Sequence, residues 1–292
     1  MRAIKKRKWT AAKNGFYGWY FKCQSKDETI VFIASVNRTD REATGRLQIA
    51  TKDGVWDVDY PGDCFFEDKG NIFLSDNRFG RSGIRFNITT ADLRAKGKLD
   101  FSDWTPLKYD IMGPFVLVPN MECRHSIMSM RHKVNGKVTL NGRTYEFNDA
   151  FGYWEGDRGT SFPSEYLWTQ CAFDEGSLML SVAEIPVGTA KFTGIIGIVH
   201  YLGEEYRFAT YLGASVKELK DRKITVTQGN MTLEAKMMDR GGKILSAPVD
   251  GEMSRAIHES LSCNAAYRFR IGNETILAFK TNQASFEYEY KR

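Results

Sequence analysis

Two Asn-Gly steps divide the middle of the chain into short runs of strand-forming residues. Asn135-Gly136 separates residues 126–134 from 137–140, and Asn141-Gly142 separates the latter from 143–147. Asn-Gly favours the positive φ angles of a two-residue hairpin turn, and such turns join antiparallel neighbours. The spacing therefore predicts an antiparallel meander in this part of the chain.

The patterns elsewhere in the chain also predict strands. Residues 29–36 are rich in β-branched and aromatic side chains, which is typical of a strand. Residues 55–60 and 285–290 alternate apolar with acidic side chains, as strands with one wet face do. Helical periodicity is poor, and its best short candidates are residues 91–95 and 214–220. We therefore predict an all-β fold with little helix.

Antiparallel meanders of this length usually close into barrels or pack as sandwiches, because closure removes the unpaired strand edges that invite aggregation. The chain has 292 residues, which suits two domains or one large β unit. A barrel of eight strands has room inside for one small ligand.

Composition narrows the class of protein. Hydrophobic residues make up 42% and charged residues 26%, values that describe a globular protein. The longest apolar runs, such as residues 195–199, are too short to span a bilayer. The net charge is +5, but we find neither the basic face nor the motifs of nucleic-acid-binding proteins. We therefore expect no nucleic-acid partner.

Much of the positive charge stands near the N-terminus, at Arg2, Lys5, Lys6, Arg7 and Lys8. No apolar stretch of the length of a secretory signal follows these residues, so we predict a cytoplasmic protein. The basic residues suit a solvated tail, and they equally suit a peripheral contact with an anionic membrane surface, as a protein that handles lipids would make.

The sequence carries none of the usual metal or nucleotide motifs. The five cysteines include no Cys-x-x-Cys pair and no His neighbours at zinc-ligand spacing, so we expect reduced, buried thiols. Glycine-rich phosphate loops and the Gly-x-Ser-x-Gly elbow are missing as well. We therefore predict no metal and no cofactor.

The densest mixture of functional side chains lies in residues 152–171, which we call the signature segment. It combines aromatic rings, carboxylates, a guanidinium and an amide without a polar run between them. A cavity for a mostly apolar ligand needs aromatic walls and a few polar groups that orient or protonate the ligand.

Period-two alternation would place Tyr153, Glu155 and Asp157 on one face of a strand, with Trp154 and Arg158 on the other. Two carboxylates on one buried face could raise each other's pKa, and a neutral carboxylic acid could then protonate an alkene. The alternative is structural: Glu155 or Asp157 would pair with Arg158 at a barrel mouth. Since Arg158 adjoins Asp157, we rank Glu155 first as the acid.

His125 is a third candidate. It alternates with Cys123 and Ile127, so we expect it on a semi-apolar inner face. Imidazole can act as a general acid or base near neutral pH, although a histidine in this setting could equally be a core residue with satisfied hydrogen bonds.

The signature segment also resembles a known family. The residues that carry the resemblance are Glu155-Gly156-Asp157-Arg158-Gly159-Thr160-Ser161-Phe162-Pro163, followed by Trp168 and Gln170. They are similar to the signature of the tocopherol cyclase family in its shorter bacterial branch, as are residues 113–115 and 118–130. Residues 15–22 and 259–261 are similar more weakly. The resemblance implies two antiparallel lipocalin-like β-barrel domains in tandem, which we place at residues 1–160 and 161–292.

Plant members of that family close the chromanol ring of vitamin E precursors. The resemblance therefore implies a cofactor-independent cyclase or isomerase that acts on a prenylated or other lipophilic molecule by acid catalysis through Glu155, Asp157 or His125. The alternative is a non-catalytic carrier of such a molecule. In either case we expect ligand contacts from Glu122, Tyr153, Trp154, Arg158, Phe162, Trp168 and Gln170.

Overall fold

The computed structural model describes residues 14–118, 121–187, 190–239 and 241–290. The basic N-terminal residues that we considered for membrane contact lie outside these ranges, as do Pro119 and Asn120 of the family-like segment. The structure confirms the all-β fold, with 73% of the described residues in strands and 4% in helix. Its short 3-10 helices are Gly62–Cys64, Gly113–Leu117 and Thr210–Leu212.

Eleven strands form one antiparallel sheet, which we call sheet A. They are β1 (Gly15–Gln24), β2 (Thr29–Arg38), β3 (Ala43–Thr51), β4 (Val55–Pro61), β5 (Phe65–Asp68), β6 (Asn71–Leu74), β7 (Asn77–Gly80), β8 (Gly83–Thr89), β9 (Arg94–Ser102), β10 (Cys123–Leu140) and β11 (Arg143–Gly159). Their order is β4-β3-β2-β1-β11-β10-β9-β8-β7-β6-β5. β1, the first of these strands along the chain, therefore pairs with β11, the last. The sheet is a nearly closed barrel.

The remaining strands form sheet B. They are β12 (Tyr166–Phe173), β13 (Gly176–Val187), β14 (Ala190–Tyr201), β15 (Glu204–Ala209), β16 (Ser215–Lys220), β17 (Lys223–Gln228), β18 (Met231–Met237), β19 (Lys243–Val249), β20 (Glu252–Ile271) and β21 (Glu274–Tyr288). Their order is β15-β14-β13-β12-β21-β20-β18-β17-β16, and β19 pairs with β20. Here too the first strand along the chain, β12, pairs with the last, β21.

The chain divides into two compact units. Unit 1 contains the described residues up to 106, then 123–162 and 246–255, and unit 2 contains the other described residues. Each unit has its own hydrophobic core, one facing sheet A and one facing sheet B. The placement of the domain boundary at residue 160 stays a prediction.

Signature glycines allow large rings to pack in the core of unit 1. Gly156 lies opposite Trp19 of β1, and a Cβ built on Gly156 would approach Trp19 Cδ1 to 2.6 Å. Similarly, a Cβ built on Gly152 would lie 2.1 Å from Nε2 of His132. Both distances are far below van der Waals contact, so these positions need glycine for steric reasons.

We expect Gly156→Ala to lower the free energy of unfolding by about 1–3 kcal/mol, because overpacking a filled core forces side chains and backbone to shift. Urea unfolding monitored by tryptophan fluorescence would measure it. Repeating the substitution in a Trp19→Leu background provides the control, since the smaller side chain leaves room for the new methyl group. An equal loss of stability in both backgrounds would contradict the steric explanation.

Several local predictions from the sequence are confirmed. Residues 29–36 and 55–60 lie in β2 and β4, and the meander around β10 and β11 is antiparallel. Asn141-Gly142 forms the turn between these two strands, with φ angles of 49° and 87°.

Other predictions are wrong. Asn135-Gly136 is not a turn, because β10 continues through it with a change of register between Val134 and Gly136. Its Gly136 has a φ of 131°, and the Asn135 side chain contacts Asp149 instead of closing a hairpin. The two helix candidates also fail: residues 215–220 form β16, and residues 91–95 form a turn that leads into β9.

The strand that contains residues 285–288 also differs from the prediction, because its acidic face is not wet. Glu287 is buried, and the Tyr166 hydroxyl donates a hydrogen bond to its carboxylate. Alternation thus identified the two faces of β21, but it gave no information on what covers them.

Candidate active site

Three strands of unit 1 bring the strongest candidate residues together. Across β10 and β11, His125 lies opposite Asp157 and Ile127 lies opposite Glu155. Across β1 and β11, Tyr20 lies opposite Glu155. Trp154, between these positions, belongs to the hydrophobic core. Because side chains alternate along a strand, Glu155 and Asp157 lie on the face of sheet A opposite the core.

The imidazole of His125 bridges the two carboxylates. Its Nδ1 is 2.9 Å from Asp157 Oδ1, and its Nε2 is 3.1 Å from Glu155 Oε2. The three side chains are 11%, 20% and 7% exposed for His125, Asp157 and Glu155, so the group is largely removed from water. We call these three residues the His125 cluster.

Neighbouring side chains fix the carboxylates of the cluster. The Tyr153 hydroxyl donates a hydrogen bond of 2.5 Å to Glu155 Oε2. The Cys123 thiol lies 3.4 Å from Asp157 Oδ1. The Tyr20 ring packs edge-on against Tyr153, with ring centroids 6.5 Å apart. Each carboxylate is therefore held by the imidazole and by at least one further donor.

The surroundings of His125 favour its charged form. Burial alone lowers the pKa of the imidazole, but the adjacent charges of Asp157 and Glu155 and their hydrogen bonds outweigh burial and raise that pKa well above 6.5. Burial, followed by the charge of Glu155, raises the pKa of Tyr153 well above 10. At neutral pH the cluster thus contains an imidazolium beside a neutral phenol.

The ring nitrogens are also relevant to metal binding. One ligand atom from each residue of the His125 cluster lies within 4.8 Å of the others, a spacing that could hold a metal ion. Both nitrogens of His125 already face carboxylates, however, so a metal ion would have to displace one of these contacts. Protonation of the imidazole, in contrast, lets both nitrogens donate to these carboxylates without displacing either contact.

Two of the predicted site residues, Arg158 and Trp154, lie on the face of β11 opposite the cluster. Arg158 is exposed and alternates onto the face opposite Asp157, so His125 rather than Arg158 is the cation that pairs with this carboxylate. Trp154 packs in the core against Phe21 and Trp19. Phe162 packs edge-on against Phe16, with ring centroids 5.3 Å apart.

Three predicted residues belong to unit 2. Trp168 and Gln170 are buried on β12, on the face opposite the core of that unit, and Glu122 is half-buried. Trp168 lies opposite Glu287 on β21. Their predicted contacts with a ligand stay predictions.

Sequence reasoning missed several buried polar residues. Lys22 of β1 is 2% exposed and lies opposite Tyr153, on the same face as Tyr20. In unit 2, Glu259 is buried directly opposite Glu287. The alternation of Tyr20 and Lys22 with the apolar Trp19, Phe21 and Cys23 was a usable signal in the sequence, since it gives β1 a second face that is partly polar.

Comparison with known proteins supports a family assignment. A sequence model described as tocopherol cyclase-like matches residues 104–288. A protein of Oryza sativa subsp. japonica, described as a probable chloroplastic tocopherol cyclase, is 28% identical over 151 residues. That match covers 48% of this chain but only 32% of the rice protein, so the chain corresponds to about a third of that relative.

Solved structures support the fold. CghA superposes with a TM-score of 0.57 at 8% identity, covering 96% of this chain and 90% of that one. An AttH-type protein of Nitrosomonas europaea has a TM-score of 0.55 at 10% identity, with coverages of 96% and 93%. At these identities the similarity concerns the fold alone, and it confirms the predicted lipocalin-like architecture. Within the described ranges, no helix has the length and apolar character needed to cross a membrane.

Proposed function

Since this chain belongs to the tocopherol cyclase-like family, we propose that it is a cofactor-independent cyclase or isomerase that acts by acid catalysis on a prenylated or otherwise lipophilic substrate. The observation that carries the proposal is the buried imidazole of His125 between two carboxylates. A positioned acid in a site that is mostly removed from water is the main requirement of such a reaction.

The reaction would be an internal addition. The cluster transfers a proton to one carbon of a substrate alkene, and the other carbon becomes a tertiary cation. A hydroxyl of the same substrate attacks the cation, which forms a C–O bond and releases the hydroxyl proton. That proton returns to the cluster, so the product is an isomer of the substrate and no oxidant or reductant is consumed.

The contacts within the cluster support this assignment. His125, Glu155 and Asp157 are so close that their protons belong to the group as a whole. After proton transfer the cluster is left more negative, and fixed negative charge near the cationic carbon would stabilise it. Tyr153 holds Glu155 in place and remains neutral, so it adds no competing charge.

The second candidate function is that of a non-catalytic carrier of a lipophilic molecule. Every member of the His125 cluster already has a partner within the protein, as a purely structural ion-pair network would. Both candidates predict ligand binding, and only the first predicts turnover.

Ligand binding can be tested by thermal unfolding against prenyl quinols, carotenoid fragments and fatty acids. A ligand present at 100 times its dissociation constant should stabilise the fold by about 2.7 kcal/mol and raise the melting temperature in a concentration-dependent manner. Ligands that shift the melting temperature are then incubated with the protein, and mass spectrometry with chromatography detects an isomeric product. If no member of the panel shifts the transition, both the cyclase and the carrier proposals fail.

A further inference from the structure

Unit 2 contains a cavity of about 620 Å³ at one end of sheet B, a volume typical of small-molecule sites in proteins. The turn between β16 and β17 and the ends of β18 and β21 line this cavity. Two tyrosines and two methionines provide apolar surface, and two basic and two acidic side chains provide charge. The cavity therefore has room for a small molecule that combines an apolar body with a charged group.

The apolar part of the lining belongs to the end of the core of unit 2. The rings of Tyr288 and Tyr290 lie with their centroids 5.8 Å apart, and both rings pack against that core. Met237 is buried in the core, whereas Met238 is 43% exposed. Aromatic faces and flexible thioethers together suit a planar ring.

The turn between β16 and β17 has an unusual residue at its second position. Asp221 and Arg222 have φ angles of 51° and 59°, as a two-residue hairpin turn with two left-handed residues requires. Among the described residues, four other hairpin turns of this kind have glycine second: Lys69-Gly70, Asn141-Gly142, Leu202-Gly203 and Asp250-Gly251. Arg222 instead holds a conformation that is unfavourable for a residue with a Cβ. Backbone strain of this kind is concentrated at functional positions.

The charges of the lining leave Arg222 without a counterion. Its side chain is half-buried, and no hydrogen bond or ion pair joins its guanidinium to another residue that the structure describes. Lys236 adds a second positive charge to the lining. Of the two carboxylates, Asp239 already accepts hydrogen bonds from Asn264 on both oxygens, and Asp221 is exposed to water. An anion is therefore the group that would complete the cavity.

We propose that this cavity binds an aromatic carboxylate, whose ring packs against Tyr288 and Tyr290 and whose carboxylate pairs with the guanidinium of Arg222. A guanidinium can donate two parallel hydrogen bonds to a carboxylate, an arrangement that a lysine ammonium does not reproduce. The cavity belongs to unit 2 and the His125 cluster to unit 1, so this proposal does not depend on the proposed cyclisation.

Isothermal titration calorimetry of the full chain with 2-naphthoate tests the proposal, and 2-naphthamide is the neutral ligand of matching shape. We expect 2-naphthoate to bind at least about 10-fold more tightly than the amide, because it gains a hydrogen-bonded charge pair. Arg222→Gly should weaken 2-naphthoate binding at least about 10-fold and leave 2-naphthamide binding unchanged. Arg222→Lys keeps the charge without the planar fork and should lose less. A third ligand, 2-naphthylmethylammonium, tests the alternative of a cation held by Asp221.

The melting temperature separates a binding role of Arg222 from a structural one. Glycine relieves the left-handed strain at position 222, so Arg222→Gly should raise the melting temperature by about 2–4 °C although binding is lost. A residue retained for stability would shift it in the opposite direction. The matched control is Lys69→Gly, which removes a cation from another left-handed turn position and should retain 2-naphthoate binding.

The proposal is overturned if 2-naphthoate does not bind, or if the amide or the ammonium analogue binds as tightly. It is also overturned if Arg222→Gly binds 2-naphthoate as the wild type does, or if Lys69→Gly loses binding to the same extent. An Arg222→Gly variant that melts below the wild type or does not fold would show that Arg222 is structural, and would refute the site as well.

Discussion

Replacing Glu155 with Gln should lower the rate of product formation by about 10²- to 10⁴-fold, the usual contribution of a general acid. The amide keeps the size and most of the hydrogen bonds of the carboxylate, but it cannot exchange the proton that the cluster shares, and it has no charge to pair with the imidazolium of His125. Steady-state assays on a substrate identified by thermal shift would measure the rate, and equilibrium titration should show that the ligand is still bound. Asp157→Asn and His125→Ala should also impair turnover, because all three groups share the proton.

The matched control is Glu146→Gln, which makes the same chemical change at an exposed position of the same strand. It should leave both rate and binding as in the wild type. Normal turnover in all three cluster variants would show that the His125 cluster is structural and would refute the proposed site.

Acid should destabilise unit 1 through His132. The pKa of this buried imidazole is lowered to about 3 in the folded protein, whereas in the unfolded chain it is about 6.5. The unfolded state therefore binds the proton more readily, so the stability is fully present above about pH 6.5 and is lost as the pH falls towards about 3. We expect a loss of about 1.4 kcal/mol per pH unit, or roughly 3 kcal/mol by about pH 4.

His132→Phe should remove this dependence, and the difference in unfolding free energy between wild type and variant, measured by urea titration at several pH values, isolates it. His125 has the opposite sign: its raised folded-state pKa gives stability that is present at low pH and lost as the pH rises through that pKa. This contribution is common to both proteins and cancels in the difference. His258→Gln, at a side chain that is 62% exposed, is the control for the loss of a histidine and should give the urea unfolding curve of the wild type at neutral pH. A difference curve that stays flat between about pH 7 and about pH 4 would contradict the assignment.

The sequence predicted the site best where alternation within one strand decides which side chains share a face. Period two correctly grouped Tyr153, Glu155 and Asp157, and the structure shows them on one face of β11. Alternation cannot show which face meets the core, however, and the carboxylates lie opposite the core rather than among the apolar residues that include Trp154.

Contacts between strands were less accessible to sequence reasoning. His125 and Asp157 are neighbours only because β10 and β11 pair in one register, and the irregularities of β10 help to determine that register. Adjacency in the sequence favours Arg158 as a partner of Asp157, but neighbours along a strand point to opposite faces. Sequence reasoning also missed Lys22 and Tyr20, because only the pairing of β1 with β11 brings them beside Tyr153 and Glu155.

The pairing of the first strand with the last has a consequence for synthesis on the ribosome. β1 ends at Gln24 and its partner β11 spans Arg143–Gly159, so more than a hundred residues must be translated before this edge of β1 can be paired. At roughly 5–20 residues per second the delay is on the order of ten seconds, during which a strand rich in aromatic residues presents unpaired backbone groups. Unit 1 also includes residues 246–255, so it is complete only when most of the chain has emerged. The nascent chain would therefore rely on chaperones that shield strand edges, and a circular permutant in which β1 directly follows β11 would rely on them less.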